Sequence, residues 1–133
     1  MFDCVFPTRT GRFGTALTFA GPLNLKRSEF KDDHGPIEKG CECEVCAKYT
    51  RSFLHLGAGK EISEVGSLIS YHNLHFQKAL MTAQREAIRD GTYNHFVVNF
   101  LLQRYASIEA TPVWIREALA HAGVDLVIAK GKE

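Results

Sequence analysis

The longest periodic stretch runs from Ile62 to Ala87, where Ile62, Val65, Leu68, Ile69, His72, Phe76, Ala79, Leu80, Ala83 and Ala87 recur at three- and four-residue steps. That spacing predicts one apolar face of a long helix, with Arg85 and Arg89 in its last turns and Gly91 at its end. Tyr93 to Tyr105 predicts a second amphipathic helix, with Phe96, Val97, Phe100, Leu101 and Arg104 along it. Thr111-Pro112 reads as an N-cap followed by proline at the first helical position, and Gly123 as the stop of this third helix. Trp114 within it is expected to be a core or interface anchor. Ala47 to Leu56 predicts a short helix closed by Gly57-Ala58-Gly59.

Upstream the periodicity changes. Residues 2–6 read as a short buried strand carrying one carboxylate, Asp3, and Thr8 to Gly14 as a loop punctuated by two glycines. Ala16–Phe19 and Leu23–Lys26 flank Ala20-Gly21-Pro22, which predicts a hairpin. Arg27 to Gly40 is charged and turn-rich, and is expected to be a solvated face or loop. Arg9 and Arg12 stand three apart in a glycine-rich loop just after the strand bearing Asp3. They could make a phosphate-binding rim, but so common a spacing taken alone favours a solvated basic turn.

Composition narrows the class. With 133 residues, 45% hydrophobic and 23% charged, the chain has room for one modest domain with a real core and is not of disordered composition. A formal net charge of +1 gives no global basic field, so contact with RNA would need a local patch. The apolar runs are too short to span a bilayer and no leader pattern follows Met1, so a soluble intracellular protein is expected.

Three of the four cysteines, Cys41, Cys43 and Cys46, fall within one Cys-x-Cys-x-x-Cys run. There is too little chain between these thiols for ordinary disulfides, but enough to wrap three thiolates around one ion. Structural zinc takes four tetrahedral ligands, commonly three cysteines and a histidine, so the fourth must come from elsewhere. His72, on the apolar face of the long helix, is the favoured ligand because a helix would present it rigidly. His34, His55 and His75 are the competitors, and a core histidine bonded to backbone is the bland alternative for His72. A closed site of this kind has no position for water, so it is a staple and not a reaction centre.

Phe2-Asp3-Cys4-Val5 followed by Pro7-Thr8-Arg9-Thr10-Gly11-Arg12 resembles the active-site segment of tRNA-guanine transglycosylases. Gly35-Pro36-Ile37, the cysteine run and His72-Asn73-Leu74 resemble the zinc subdomain of the same family in order and spacing. The resemblance extends from Met1 to at least Tyr105. Arg12 to Leu17 and the Trp114 segment look most like the eukaryotic queuine-inserting catalytic subunit. It implies that Asp3 is the nucleophile, that Arg9 and Arg12 hold tRNA around the target base, and that Cys41, Cys43, Cys46 and His72 bind Zn2+. The implied activity is replacement of the wobble guanine of a tRNA anticodon by queuine through a covalent aspartyl-ribosyl intermediate. The implied partners are that tRNA, queuine and a homologous subunit forming a heterodimer in eukaryotes, in the cytoplasm or at the mitochondrial outer membrane.

The fold implied is an α/β (β/α)8 TIM barrel with the zinc subdomain inserted late. Residues 1–26 would then form a late strand, active-site loop and hairpin, 27–72 the zinc subdomain, and 73–133 the C-terminal helices. Such a barrel needs roughly 250 residues. The expectation is therefore a C-terminal portion that lacks the second catalytic aspartate and the purine pocket and is inactive alone. A non-catalytic zinc-binding interaction module or subunit is the alternative.

Overall fold

The computed structural model describes residues 3–60, 64–124 and 126. Its elements are α1 (Phe6–Arg12), β1 (Thr15–Thr18), β2 (Gly21–Asn24), a 3-10 turn (Ser28–Phe30), α2 (Glu44–Lys48), α3 (Arg51–Gly57), α4 (Val65–Arg89), α5 (Tyr93–Arg104) and α6 (Val113–His121). The chain divides into two units, Met1–Ala79 and Leu80–Glu133, and the division falls within α4.

The expected face of the long helix is the buried one. Val65, Ile69, His72, Phe76 and Ala87 are all buried on α4, while the predicted position Ile62 lies outside the described residues. In the first unit, Val65 and Ile69 pack with Ala16, Leu25, Phe30, Ile37, Val45 and Leu54, and Cys43 belongs to the same core. Each such side chain moved fully out of water contributes about 1.5–3 kcal/mol, offset by the entropy of ordering the chain around it.

The hairpin forms, but its turn is Phe19-Ala20, so the strands start and end one or two residues from the expected positions. Pro22 sets this register. Antiparallel pairs alternate between exchanging hydrogen bonds and facing away from each other. Leu25 N–H donates to Gly14 O at 2.9 Å, and Pro22 lies opposite Leu17. Alternation from that bond puts Leu17–Pro22 among the pairs that do not exchange, where a missing N–H costs nothing. Leu17 therefore turns both its amide and its carbonyl away from β2. The tip of the hairpin reaches α4 through Phe19, whose ring meets Phe76 edge-on at 5.0 Å.

Residues 3–6 are not the buried strand expected. Asp3 and Cys4 carry no regular structure, and Val5 and Phe6 are 65% and 58% exposed, while Phe2 lies outside the described residues. A strand needs a ladder partner, and the strand pairing seen among the described residues is β1 with β2. The predicted glycine-rich loop is instead mostly α1. Pro7 occupies its first turn, and Thr8 Oγ1 and Arg9 N–H both donate to Val5 O, at 3.2 and 2.9 Å. Gly11, which argued for a loop, is there because α1 crosses α4 too closely for a side chain. A Cβ at this position would lie 2.6–2.8 Å from Ser70 atoms, backbone included.

The predicted helix over Ala47–Leu56 is two helices, because Thr50 starts a new one by accepting a hydrogen bond from Phe53 N–H at 3.1 Å. The charged Arg27–Gly40 segment is not loose. Arg51 bonds Asp33 at 2.9 Å and Ile37 O at 3.0 Å, and Ser52 N–H donates to Asp33 O at 2.7 Å.

In the second unit, Val97, Leu101 and Val124 form a buried cluster packed by Tyr93, Phe96, Ile115 and Leu119. Arg104 sits 4.4 Å from the centre of the Phe100 ring. Gly91, in the left-handed region at φ +68°, ends α4 as expected. Helix α6 begins at Val113, one residue later than the proline-first reading, and Thr111 is buried with its hydroxyl on Ser107 O at 3.4 Å. Trp114 is 70% exposed and is not a core residue of this chain. Among the described residues, no helix is long and apolar enough to cross a membrane.

Candidate metal centre

Cys41, Cys43 and Cys46 enter the site from the loop before α2 and from its first turn. Cys43 is the N-cap of α2, its sulfur accepting from Cys46 N–H at 3.4 Å. His72 comes from the middle of α4 and is wholly buried. Its Nδ1 stands 3.4 Å from the sulfurs of Cys43 and Cys46 and 3.8 Å from that of Cys41. With Zn–S near 2.3 Å and Zn–N near 2.0–2.1 Å, a regular tetrahedron separates sulfur from nitrogen by about 3.5 Å. The four donor atoms lie within 4.8 Å of one another and fit one small tetrahedral ion.

The second nitrogen of His72 fixes its tautomer. Nε2–H donates to Leu17 O at 2.9 Å, which leaves the Nδ1 lone pair aimed at the thiols. Burial lowers the His72 pKa and so favours the neutral ligand form. In the metal-free site, burial pushes the Cys41 thiol up and the Cys46 thiol up to about 12. A divalent ion that converts these buried thiols to thiolates is the partner such a donor set lacks.

The competing histidines are occupied elsewhere or lie outside the cluster. His55 Nδ1–H donates to Leu25 O at 2.8 Å, while His34 is exposed. His75 is half-buried and is not among the four clustered donors.

Asn73 has no role of its own in the sequence, where it stands only within the His72-Asn73-Leu74 run. It is wholly buried, its Oδ1 accepts from Leu17 N–H at 2.8 Å, and its Nδ2 donates to Thr15 O at 3.0 Å and Pro7 O at 2.9 Å. His72 and Asn73 thus cover the free edge of β1 in place of a third strand. Their partners are backbone atoms, which leave no residue-type signature. A polar Asn beside a buried helix face, next to the proposed ligand His72, was the available hint.

The structure gathers the four ligands into one cluster and leaves Asp3, Arg9 and Arg12 outside it. Asp3 is exposed, three residues before α1 begins. Arg9 and Arg12 are exposed in the last turn of α1, where a spacing of three sets them on one side of the helix.

The family model for queuine tRNA-ribosyltransferase matches residues 1–106. This chain belongs to that family. Among curated relatives, a queuine tRNA-ribosyltransferase of Thermus thermophilus is 46% identical over 124 residues, covering 92% of this chain and 31% of the relative. The queuine tRNA-ribosyltransferase catalytic subunit of Caenorhabditis elegans is 40% identical over 141 residues, covering 95% and 35% respectively. That of Schizosaccharomyces pombe is 40% identical over 136 residues, covering 96% and 33%. The chain spans about a third of the length of these relatives.

The family match encloses Asp3, Arg9, Arg12 and all four metal donors, whereas α6 lies beyond it. The Cys3His cluster corresponds to the structural zinc of the queuine tRNA-ribosyltransferase family. All four positions are filled by protein atoms, so zinc held there supplies a cross-link between the cysteine loop and α4. The described residues contain helices and one two-stranded sheet, which is a small part of the barrel that the resemblance implies.

Proposed function

We propose that this chain supplies the nucleophile segment and the zinc-held subdomain of an enzyme that exchanges the wobble guanine of a tRNA anticodon for queuine. The observation that carries this is the match over residues 1–106, which holds Asp3, Arg9, Arg12 and a complete, geometrically closed metal site in family order. In this reading a carboxylate oxygen of Asp3 forms a bond to C1′ of the wobble nucleotide as the C1′–N9 bond to guanine breaks. Guanine leaves with a proton from an acid of the upstream barrel. Queuine then loses its N9 proton to a base there, attacks C1′, and returns Asp3 to its carboxylate. A carboxylate suits both steps, because the transition states are oxocarbenium-like, as in retaining glycosidases.

Arg9 and Arg12 hold the RNA backbone while the target base is turned out of its stack. The exposed apolar residues beside Asp3 fit the same reading. Val5 and Phe6 would be covered when the upstream part of a (β/α)8 barrel packs against this end of the chain. A homologous subunit and a cytoplasmic site of action belong to this proposal. So does inactivity of the chain by itself, since Asp3 is solvent-exposed and the purine-recognising residues lie upstream.

Covalent capture of an anticodon stem-loop on a denaturing gel tests it, with the upstream portion of the Thermus thermophilus relative supplied. The zinc-loaded chain is expected to give a gel-stable adduct and Asp3→Ala none. An adduct that survives Asp3→Ala removes the nucleophile role and leaves the chain as a zinc-binding interaction module.

A further inference from the structure

The strip of α4 that bears the zinc ligand also holds down α1. Asn73 Nδ2 donates to Pro7 O at 2.9 Å in the first turn of α1, and the one Ser70 hydroxyl proton is shared between Thr8 O at 3.1 Å, in the next position, and Gly66 O of α4 at 2.7 Å. Gly11 then lets the α1 backbone rest directly on Ser70. One turn of α4 therefore fixes the depth and rotation of a seven-residue helix that is too short to hold its own shape in water. What α1 carries outward is Arg9 and Arg12. Asn73 also bonds Leu17 N–H and Thr15 O, so the same side chain references α1 to the hairpin strand that receives His72.

We propose that Asn73 is a positioning residue for RNA binding, acting with Ser70 through α1 to hold Arg9 and Arg12 on one side of the helix for contact with the RNA backbone. This rests on the reading of Arg9 and Arg12 given above. Asn73 itself is buried and touches neither RNA nor metal. Its amide is suited to the task because both N–H groups and the carbonyl oxygen are engaged: one acceptor bond and two donor bonds oppose the flipped orientation.

A double-mutant cycle on anticodon stem-loop affinity decides the matter, in the zinc-loaded chain supplied with the upstream portion of the relative. Asn73→Ala is expected to weaken binding about tenfold, the scale of one lost buried hydrogen bond, with zinc content unchanged. The magnitude of the salt slope should fall toward that of Arg9→Ala/Arg12→Ala, a drop of about 1.4 for two single-strand phosphate contacts. In the arginine-less background, Asn73→Ala should then weaken binding no further. A merely structural role would give the same loss in both backgrounds, and that additivity overturns the inference. Unchanged affinity in Arg9→Ala/Arg12→Ala would instead overturn the tRNA-binding reading and this inference with it. Should Asn73→Ala not fold, Ser70→Ala runs the same cycle with an expected loss of about threefold.

Discussion

Asp33 lies in a segment whose charges look free in the sequence, yet both of its carboxylate oxygens are used. Oδ1 accepts from Gly35 N–H at 2.9 Å, and Oδ2 pairs with the Arg51 guanidinium at 2.9 Å. The Gly35 amide first, and then Arg51, hold its pKa below the ordinary carboxylate value. A depressed folded pKa means that the stabilisation is present above the unfolded carboxylate pKa and fades as pH falls through the folded one. The pair is partly exposed, at 27% and 30%, so it is worth about 1 kcal/mol at most. Asp33→Asn is accordingly expected to melt a few degrees lower than the parent chain at pH 7. That difference should narrow as pH falls through the ordinary carboxylate range toward the depressed Asp33 pKa, over the interval in which zinc stays bound. Thermal melts of the two chains across this range check it, and a gap that persists at low pH would mean that the charge is not what Arg51 needs.

At the scale of elements, α1 and the α2–α3 break show which structure a sequence displays. Helix α4 was legible because its partners are apolar side chains, and their three- and four-residue period is written in the chain. Helix α1 was not, because its order comes from Asn73, Ser70 and the close crossing at Gly11, all of which are contacts to backbone. A glycine that signals a turn locally here signals proximity. The metal site was legible for the opposite reason: structural zinc is commonly held by thiolates and imidazole, so three cysteines at this spacing point to it. Which histidine completed it was settled by burial and by the Leu17 carbonyl, neither of which a spacing contains.

Gly11→Ala turns this into a measurement. Alanine improves helix propensity by about 0.8–1.0 kcal/mol, but its Cβ would sit within 2.8 Å of Ser70 backbone, and overpacking typically costs about 1–3 kcal/mol. The steric cost should win, lowering the melting temperature and weakening stem-loop binding while the zinc content stays at one per chain. A stabilised Gly11→Ala chain would show that α1 is free to move away from α4.

For the molecule as a whole, the two units differ in what holds them together. The first has a two-stranded sheet and short helices, elements that are marginal alone in water, packed on the N-terminal part of α4 around a core that contains the ligand Cys43. Zinc held by a folding site contributes roughly 10–16 kcal/mol of apparent binding energy, as large as the roughly 5–15 kcal/mol net stability of an ordinary domain. Removing it should therefore abolish the first unit's fold and not merely soften it. The second unit has its own apolar cluster of Val97, Leu101 and Val124 and contains none of the four ligands.

The expected outcome of chelation, or of His72→Ala, is loss of amide-exchange protection from Gly14 to Ala58 while α5 and α6 retain theirs. Acid should do the same. Burial holds the metal-free thiols of Cys41 and Cys46 protonated at neutral pH, so each gives up a proton when zinc enters. Affinity must then fall by about a hundredfold per pH unit from these two thiols alone. A zinc titration at pH 7.5 and 6.5, followed by exchange mapping of each unit, separates the possibilities. Protection in Gly14–Ala58 that survives verified zinc loss would show that the apolar core, not the metal, carries the first unit.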